Sequence, residues 1–162
     1  MFTETENSTD VHESLLLDEE TKLYNQTVFD VFIRRANAPG LLPASLVVFH
    51  LPNGAEEQRI HAFAGVLHDL AQDNQMLARV SSEVLVAVLS HTTQNGAYLF
   101  LEQLAERMER LELLEHIPVE IVVRSWSSPI QKPEELLQEA YRDLKNGRRL
   151  KLQFIAQSER RN

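Results

Sequence analysis

The sequence predicts an α/β (α+β) domain: a mixed central sheet of about five strands with a central β-hairpin, flanked by helices. Three observations carry this expectation. Val84, Val86 and Val88 alternate with Leu85, Ala87 and Leu89, so the segment is apolar on both faces, as a strand inside a covered sheet must be. A second strand pattern, from Leu77, precedes it across the polar pair Ser81-Ser82, which reads as a tight hairpin turn. Helical and strand patterns then alternate along the whole chain in the order α-β-α-β-β-α-β-α-β.

Taken in order, residues 1–14 read as an N-terminal tail or short helix. Asp10 and Glu13 offer a capping box there, and Leu15, Leu16 and Leu17 are available to pack on the domain or on a partner. Asn25 caps a helix that places Val28, Phe29, Phe32, Ile33 and Ala36 on one face. Pro39-Gly40 ends it, and Leu46 to Leu51 follows as a buried strand broken by Pro52-Asn-Gly54. The next helix is expected from near Ala55, with Ile60, Phe63, Ala64, Leu67, Leu70 and Ala71 inward. The hairpin follows. Asn95-Gly96 opens a longer helix whose Ala97, Leu101, Leu104, Met108 and Leu111 form a core stripe; two heptads are too few for a coiled coil. Val119 to Val123 is a strand. Pro133 suits the first turn of a helix burying Leu136, Leu137, Ala140, Tyr141 and Leu144, and Gly147 suits its C-terminal cap. Leu150, Leu152 and Phe154 alternate with Lys151 and Gln153, the pattern of a last, edge-like strand. The folded domain is expected over 15–157, with 158–162 as a C-terminal tail.

Composition narrows the function. A net charge of -8 repels the phosphates of a nucleic acid. The absence of cysteine removes disulfides, thiolate metal sites and a thiol nucleophile. The start of the chain is acidic and polar, unlike a signal peptide, and no apolar run is long enough to insert in a membrane, so a cytoplasmic location is expected. No Ser-His-Asp spacing, Walker loop or dinucleotide fingerprint is present.

Several motifs carry a family resemblance. Asp18-Glu-Glu-Thr21-Lys-Leu23-Tyr-Asn25-Gln-Thr-Val-Phe29 resembles the opening Asp-x-x-Thr-x-Leu-x-Asn-x-x-x-Phe of GGDEF domains, the diguanylate cyclase family. Leu46 to Leu51 is similar to that family's first strand. Arg79-Val-Ser-Ser-Glu-Val-Leu85 stands in the place of its Arg-x-Gly-Gly-Asp/Glu-Glu-Phe hairpin, and Tyr141 to Arg148 resembles its closing Tyr-x-x-Lys-x-x-Gly-Arg. The resemblance implies the fold described above and a former chemistry. Active members join two GTP molecules, one held by each half of a dimer, into cyclic di-GMP, with divalent metals on carboxylates at the end of the first strand and in the hairpin turn.

Set against that pattern, the equipment is largely replaced. His50 stands at the strand-end carboxylate and Pro52 at the second aspartate. Imidazole suits transition metals, whereas magnesium takes oxygen ligands. Ser81 and Ser82 replace both glycines, whose backbone freedom admits a nucleotide closely. Glu83 keeps the third position acidic, Val84 replaces the fourth-position glutamate and Leu85 the phenylalanine. Asn53, Gly54 and Ala55 retain a loop able to offer N–H groups to phosphate, but Glu56 and Glu57 follow at once and repel it. The phosphate lysine falls at Leu144, while Arg148 matches the arginine of the pattern. At the family's inhibitory Arg-x-x-Asp, the chain has Gln72 and Gln75, so cyclic di-GMP is not expected at that site.

Other candidates have plain readings. His61 and His68, seven apart on one helix, lack a third ligand and suit solvent-edge histidines. His50 and Glu83 form a small remnant site at the sheet edge, a simple hydrogen bond or no contact, the last two being the plainer readings. Trp126 is either a partner anchor or core packing. Glu102, Glu106, Glu109 and Glu112 suit a solvated helix face.

The resulting expectation is a catalytically inactive GGDEF-like domain, without metal or cofactor, acting on protein partners of a signalling pathway, with a homodimer as a further possibility. The alternative is a non-catalytic GTP sensor that uses the Asn53–Ala55 loop, Glu83 and Arg148.

Overall fold

The computed structural model describes residues 15–36, 39–54, 56–73 and 75–161. The expectations for 1–14 and for Ala55 therefore lie outside the described residues. Besides two short 3-10 helices at Pro39–Leu41 and Glu56–Gln58, five α-helices and five strands follow in order among the described residues. They are α1 (Gln26–Arg34), β1 (Ala44–His50), α2 (Arg59–Leu70), β2 (Met76–Ser81), β3 (Val84–Ser90), α3 (Gln94–Arg110), β4 (Glu120–Trp126), α4 (Pro133–Lys145), β5 (Leu150–Lys151) and α5 (Leu152–Arg161).

The strands form one sheet in the order β2-β3-β1-β4-β5. All four pairings are antiparallel, where a mixed sheet was expected. The helix between β1 and β2 does return the chain in the same direction. The hairpin partner β3 then inserts between the two like-directed strands, so they never pair. The hairpin thus lies toward one edge, with β1 at the centre.

Alternation sorts the side chains of the sheet into two cores. Val47, Phe49, Leu85, Ala87, Leu89 and Ile121 meet α2, α3 and α5 through Phe63, Leu67, Leu101, Leu104, Met108 and Leu152. Leu46, Val48, Val86, Val88, Val122 and Trp126 meet α1 and α4 through Phe29, Ile33, Leu137 and Ala140. Phe49 and Phe63 pack edge to face, 5.3 Å between centroids, joining the central strand to α2.

The caps are those the residues dictate. Asn25 accepts the Val28 N–H at 3.0 Å, and Pro133 opens α4. Gly147, at φ +78, closes α4: its N–H donates to Leu144 and the Arg148 N–H to Asp143, the paired bonds of a Schellman motif. Thr93, two residues before the expected opening at Asn95, caps α3 by accepting the Gly96 N–H.

Four elements depart from expectation. α2 begins at Arg59 rather than near 55, because Glu56–Gln58 forms a 3-10 turn that ends in left-handed Gln58, φ +57. Leu111 caps the end of α3 and is exposed, outside the core stripe. β4 extends to Trp126, so this residue is in the sheet. The last strand stops after two residues. Lys151 pairs with Glu120, the first residue of β4, and one more backbone bond, from the Leu152 N–H to the Val119 carbonyl at 3.1 Å, ends the ladder. The chain turns helical, and burial follows a four-residue spacing: Leu152 and Ala156 are buried while Phe154 is 61% exposed. This helix runs through 158–161, expected as tail. Among the described residues no helix is long and apolar enough to cross a membrane.

The opening motif is tied to the hairpin. The Asp18 carboxylate accepts the Thr21 N–H at 2.9 Å, the Thr21 hydroxyl at 2.8 Å and the Arg79 Nη1–H at 3.1 Å. The same guanidinium donates to the carbonyls of Ser81 and Ser82, at 3.1 and 2.8 Å. Tyr24 completes the junction: its N–H donates to Leu77 and its carbonyl accepts from Arg79, on the outer side of β2.

Burial alone would raise the Asp18 carboxyl, but the Thr21 and Arg79 bonds outweigh it and hold the group below its ordinary value. A folded value below the unfolded one stabilises the protein above the unfolded value, about 3.9, and this is lost as pH falls through the folded value. Asp18→Ala is expected to cost about 2 kcal/mol at pH 7, with the difference from the parent closing on acidification through that range, by urea denaturation across pH. Phe63→Ala, which empties the space beside Phe49, is expected to cost about 3–5 kcal/mol in the same measurement, without pH dependence.

Candidate functional site

The site is built by the register of β1. His50, its last residue, lies opposite Val84 of β3 and Glu120 of β4. Its Nδ1 is 2.7 Å from Glu120 Oε1. A carboxylate only accepts, so Nδ1 carries the proton and the imidazole donates. The second oxygen of Glu120 accepts from Arg149 Nε. On the other side, His50 Nε2 is 3.9 Å from Glu83 Oε1. The end of the sheet is thus a row of alternating groups: Arg149, Glu120, His50, Glu83.

The hairpin turn is Ser82-Glu83, one residue later than the Ser81-Ser82 turn expected, since Ser81 already pairs with Val84. Neither turn residue has a positive φ. The two-residue hairpins that suit glycine need one. Here the register instead shifts between Arg79 and Ser81, a bulge that absorbs the twist and leaves serine unstrained. The β1–β3 ladder runs one step past the strands, with the Leu51 N–H donating to the Glu83 carbonyl at 2.8 Å.

The loop after β1 has little left to offer a ligand. Asn53 is left-handed, φ +58, and its N–H donates to Glu83 Oε2 at 2.6 Å. The Gly54 N–H donates to Leu51 at 2.9 Å, and the Glu56 N–H to Asn53 at 3.0 Å. Gly54 packs closely here: a Cβ would stand 3.0 Å from the Leu51 Cβ and carbonyl oxygen, so a larger residue would push Leu51 aside by a few tenths of an ångström.

The structure therefore brings His50, Asn53, Glu83 and Val84 together, with Pro52, Ser81 and Ser82 beside them in chain. Arg148 is apart in its pairing: its side chain is 73% exposed and its Nε lies 3.9 Å from Asp143, itself bonded to Arg124. The cation that reaches the site is its neighbour Arg149, which sequence reasoning missed together with Glu120. Glu120 left one signal, the one charge in the expected Val119–Val123 strand. Choosing between two adjacent arginines needed the geometry of the cap.

Gln72 and Gln75 lie toward the opposite end of the sheet, where Ser90 pairs with the first residue of β1. Gln75 Oε1 accepts the Ser90 N–H at 2.6 Å, closing the segment on β3, and Gln72 is exposed. His61 Nδ1 bonds the Glu20 carbonyl at 2.6 Å, and exposed His68 is 3.9 Å from Asp69. Trp126 is 2% exposed and part of the core, with a buried Nε1 that has no partner.

The donor set does not fit the magnesium that the resemblance implies. Glu83 is committed to a backbone amide, Glu120 to His50 and Arg149, and the strand-end donor is an imidazole. Among the described residues no group of three or more histidine, aspartate or glutamate side chains is arranged to hold a metal.

No protein-family model matches the chain, and no curated protein matches it. Solved structures do. The chain is similar to the GGDEF domain of FimX from Pseudomonas aeruginosa, with 19% identity over 78% of this chain and 90% of that one, at a TM-score of 0.65. It is similar to the coiled coil and GGDEF domain of DgcB from Caulobacter crescentus, solved with c-di-GMP, at 16% identity over 88% and 87% of the chains and a TM-score of 0.66. It is also similar to diguanylate cyclase SiaD from P. aeruginosa, solved with its activator SiaC, at 12% identity and a TM-score of 0.66; there the match covers 91% of this chain and 64% of that one. The chain has the fold of a GGDEF domain.

Proposed function

We propose that the chain is a catalytically inactive GGDEF-like domain that works as a regulatory, protein-interaction module in bacterial cyclic di-GMP-related signalling. One observation carries this: the groups at the reaction end of the sheet are bonded to one another. Joining two nucleotides requires carboxylates free to hold metal against the triphosphate. Here Glu120 holds His50 and Arg149, and Glu83 holds the Asn53 amide. SiaD, of the same fold, was solved with an activator protein, which supports a protein as the partner class.

A GTP sensor is the second reading, motivated by the surviving Asn53-Gly54 loop. It is disfavoured because the Gly54 amide bonds Leu51 and that of Asn53 bonds Glu83.

Purified protein incubated with GTP and Mg²⁺ or Mn²⁺ is expected to yield no cyclic di-GMP by chromatography; robust product formation overturns the proposal. Calorimetry with GTP and GDP is expected to register no heat at high-micromolar ligand, and binding there would restore the sensor.

A further inference from the structure

We propose that Glu83 is an intramolecular plug, a carboxylate of the chain's own that takes the loop amide a phosphate would use and thereby keeps polyphosphates out. The proposal rests on the reading of the site as inactive and adds how it is held shut.

The register places the plug. Because β1 and β3 continue one step beyond their strands, Glu83 comes to lie beside Leu51, two residues before Asn53. The left-handed turn at Asn53 presents its N–H to the hairpin, and the close approach of Gly54 to Leu51 keeps that turn compact. Of the amides at 53, 54 and 56, those of Gly54 and Glu56 are spent on Leu51 and Asn53 carbonyls. The Asn53 amide alone of these three meets a side chain, and that side chain is anionic, at 2.6 Å. A bond from an amide to a carboxylate is of the strong, charge-assisted kind. The Glu83 carbonyl accepts from Leu51, so the residue is held by two hydrogen bonds, one at its side chain and one at its backbone, with its other carboxylate oxygen 3.9 Å from His50 Nε2.

A polyphosphate seeking that amide must displace this carboxylate and then lie against its charge, with exposed Glu56 close by in chain. The residue that the GGDEF pattern keeps acidic is thus used here against the ligand. This reverses the sign of a familiar substitution. If Glu83 were a remnant ligand, removing it would weaken nucleotide binding; as a plug, removing it strengthens binding.

The experiment uses ¹⁵N-labelled full chain as parent, Glu83→Gln and Glu83→Ala, each checked for fold by circular dichroism and titrated with inorganic pyrophosphate and with Mg²⁺-GTP. In Glu83→Ala the Asn53 amide resonance is expected to move and its hydrogen exchange to quicken by about tenfold or more, the equivalent of one bond to a charged group. Pyrophosphate is expected to bind Glu83→Ala about tenfold more tightly than the parent. Glu83→Gln keeps an acceptor of the same size and is expected to fall between the two, so a failure of Glu83→Ala to fold leaves a usable variant. An unchanged Asn53 amide overturns the plug while the inactive-domain reading stands. A released amide with no gain in pyrophosphate binding overturns the exclusion. Mg²⁺-GTP binding by the parent that Glu83→Ala abolishes overturns both.

Discussion

β1 is bonded along its whole length on both sides, to β3 and to β4, and every feature of the candidate site depends on that double register. It sets His50 between Val84 and Glu120, and it carries Glu83 alongside the loop that follows. A slip of one residue would turn His50 to the other face and break its bond to Glu120. Such a slip is opposed by both cores at once, because Leu46 and Val48 fill one and Val47 and Phe49 the other. The chemistry of the site is therefore positioned by the buried apolar side chains of β1.

Much of this was legible before the coordinates. Asn25, Pro133 and Gly147 mark helix ends because their backbone and side-chain chemistry act within one turn, where sequence distance and spatial distance agree. The two-faced Val84–Leu89 strand and the stripe from Ala97 to Met108 were legible for the same reason. The resemblance of Asp18–Phe29 and Arg79–Leu85 to GGDEF motifs pointed to the fold that the solved structures share. What escaped depends on partners distant in sequence. Leu150, Leu152 and Phe154 alternate as a strand would, yet β4 supplies only two partners and α3 offers an apolar wall, so the pattern resolves as helix from Leu152. Glu120 and Arg149 escaped because nothing local says that a residue 70 positions from His50 lies beside it.

The state of the site follows from an ordinary rule about polar groups. A pocket that holds a ligand keeps donors and acceptors unsatisfied until the ligand arrives, at a cost in the empty state. At this end of the sheet that condition has been relieved from inside. An imidazole, a guanidinium and two carboxylates answer one another, and a serine-bearing turn with a bulge replaces a geometry that glycine would serve. Each of these groups is satisfied by a partner from within the chain.

The outer borders of the sheet show a related economy. On one side Tyr24 lays its N–H and carbonyl against β2; on the other, the last strand has only Leu150 and Lys151 before the chain coils away. An uncovered strand border is a template on which another chain can add itself, and proteins blunt such borders by covering or shortening them. Both devices are present here, one on each side. A strand from another copy would therefore meet a border already occupied by Tyr24 on the β2 side, and on β5 would find only two residues to run along.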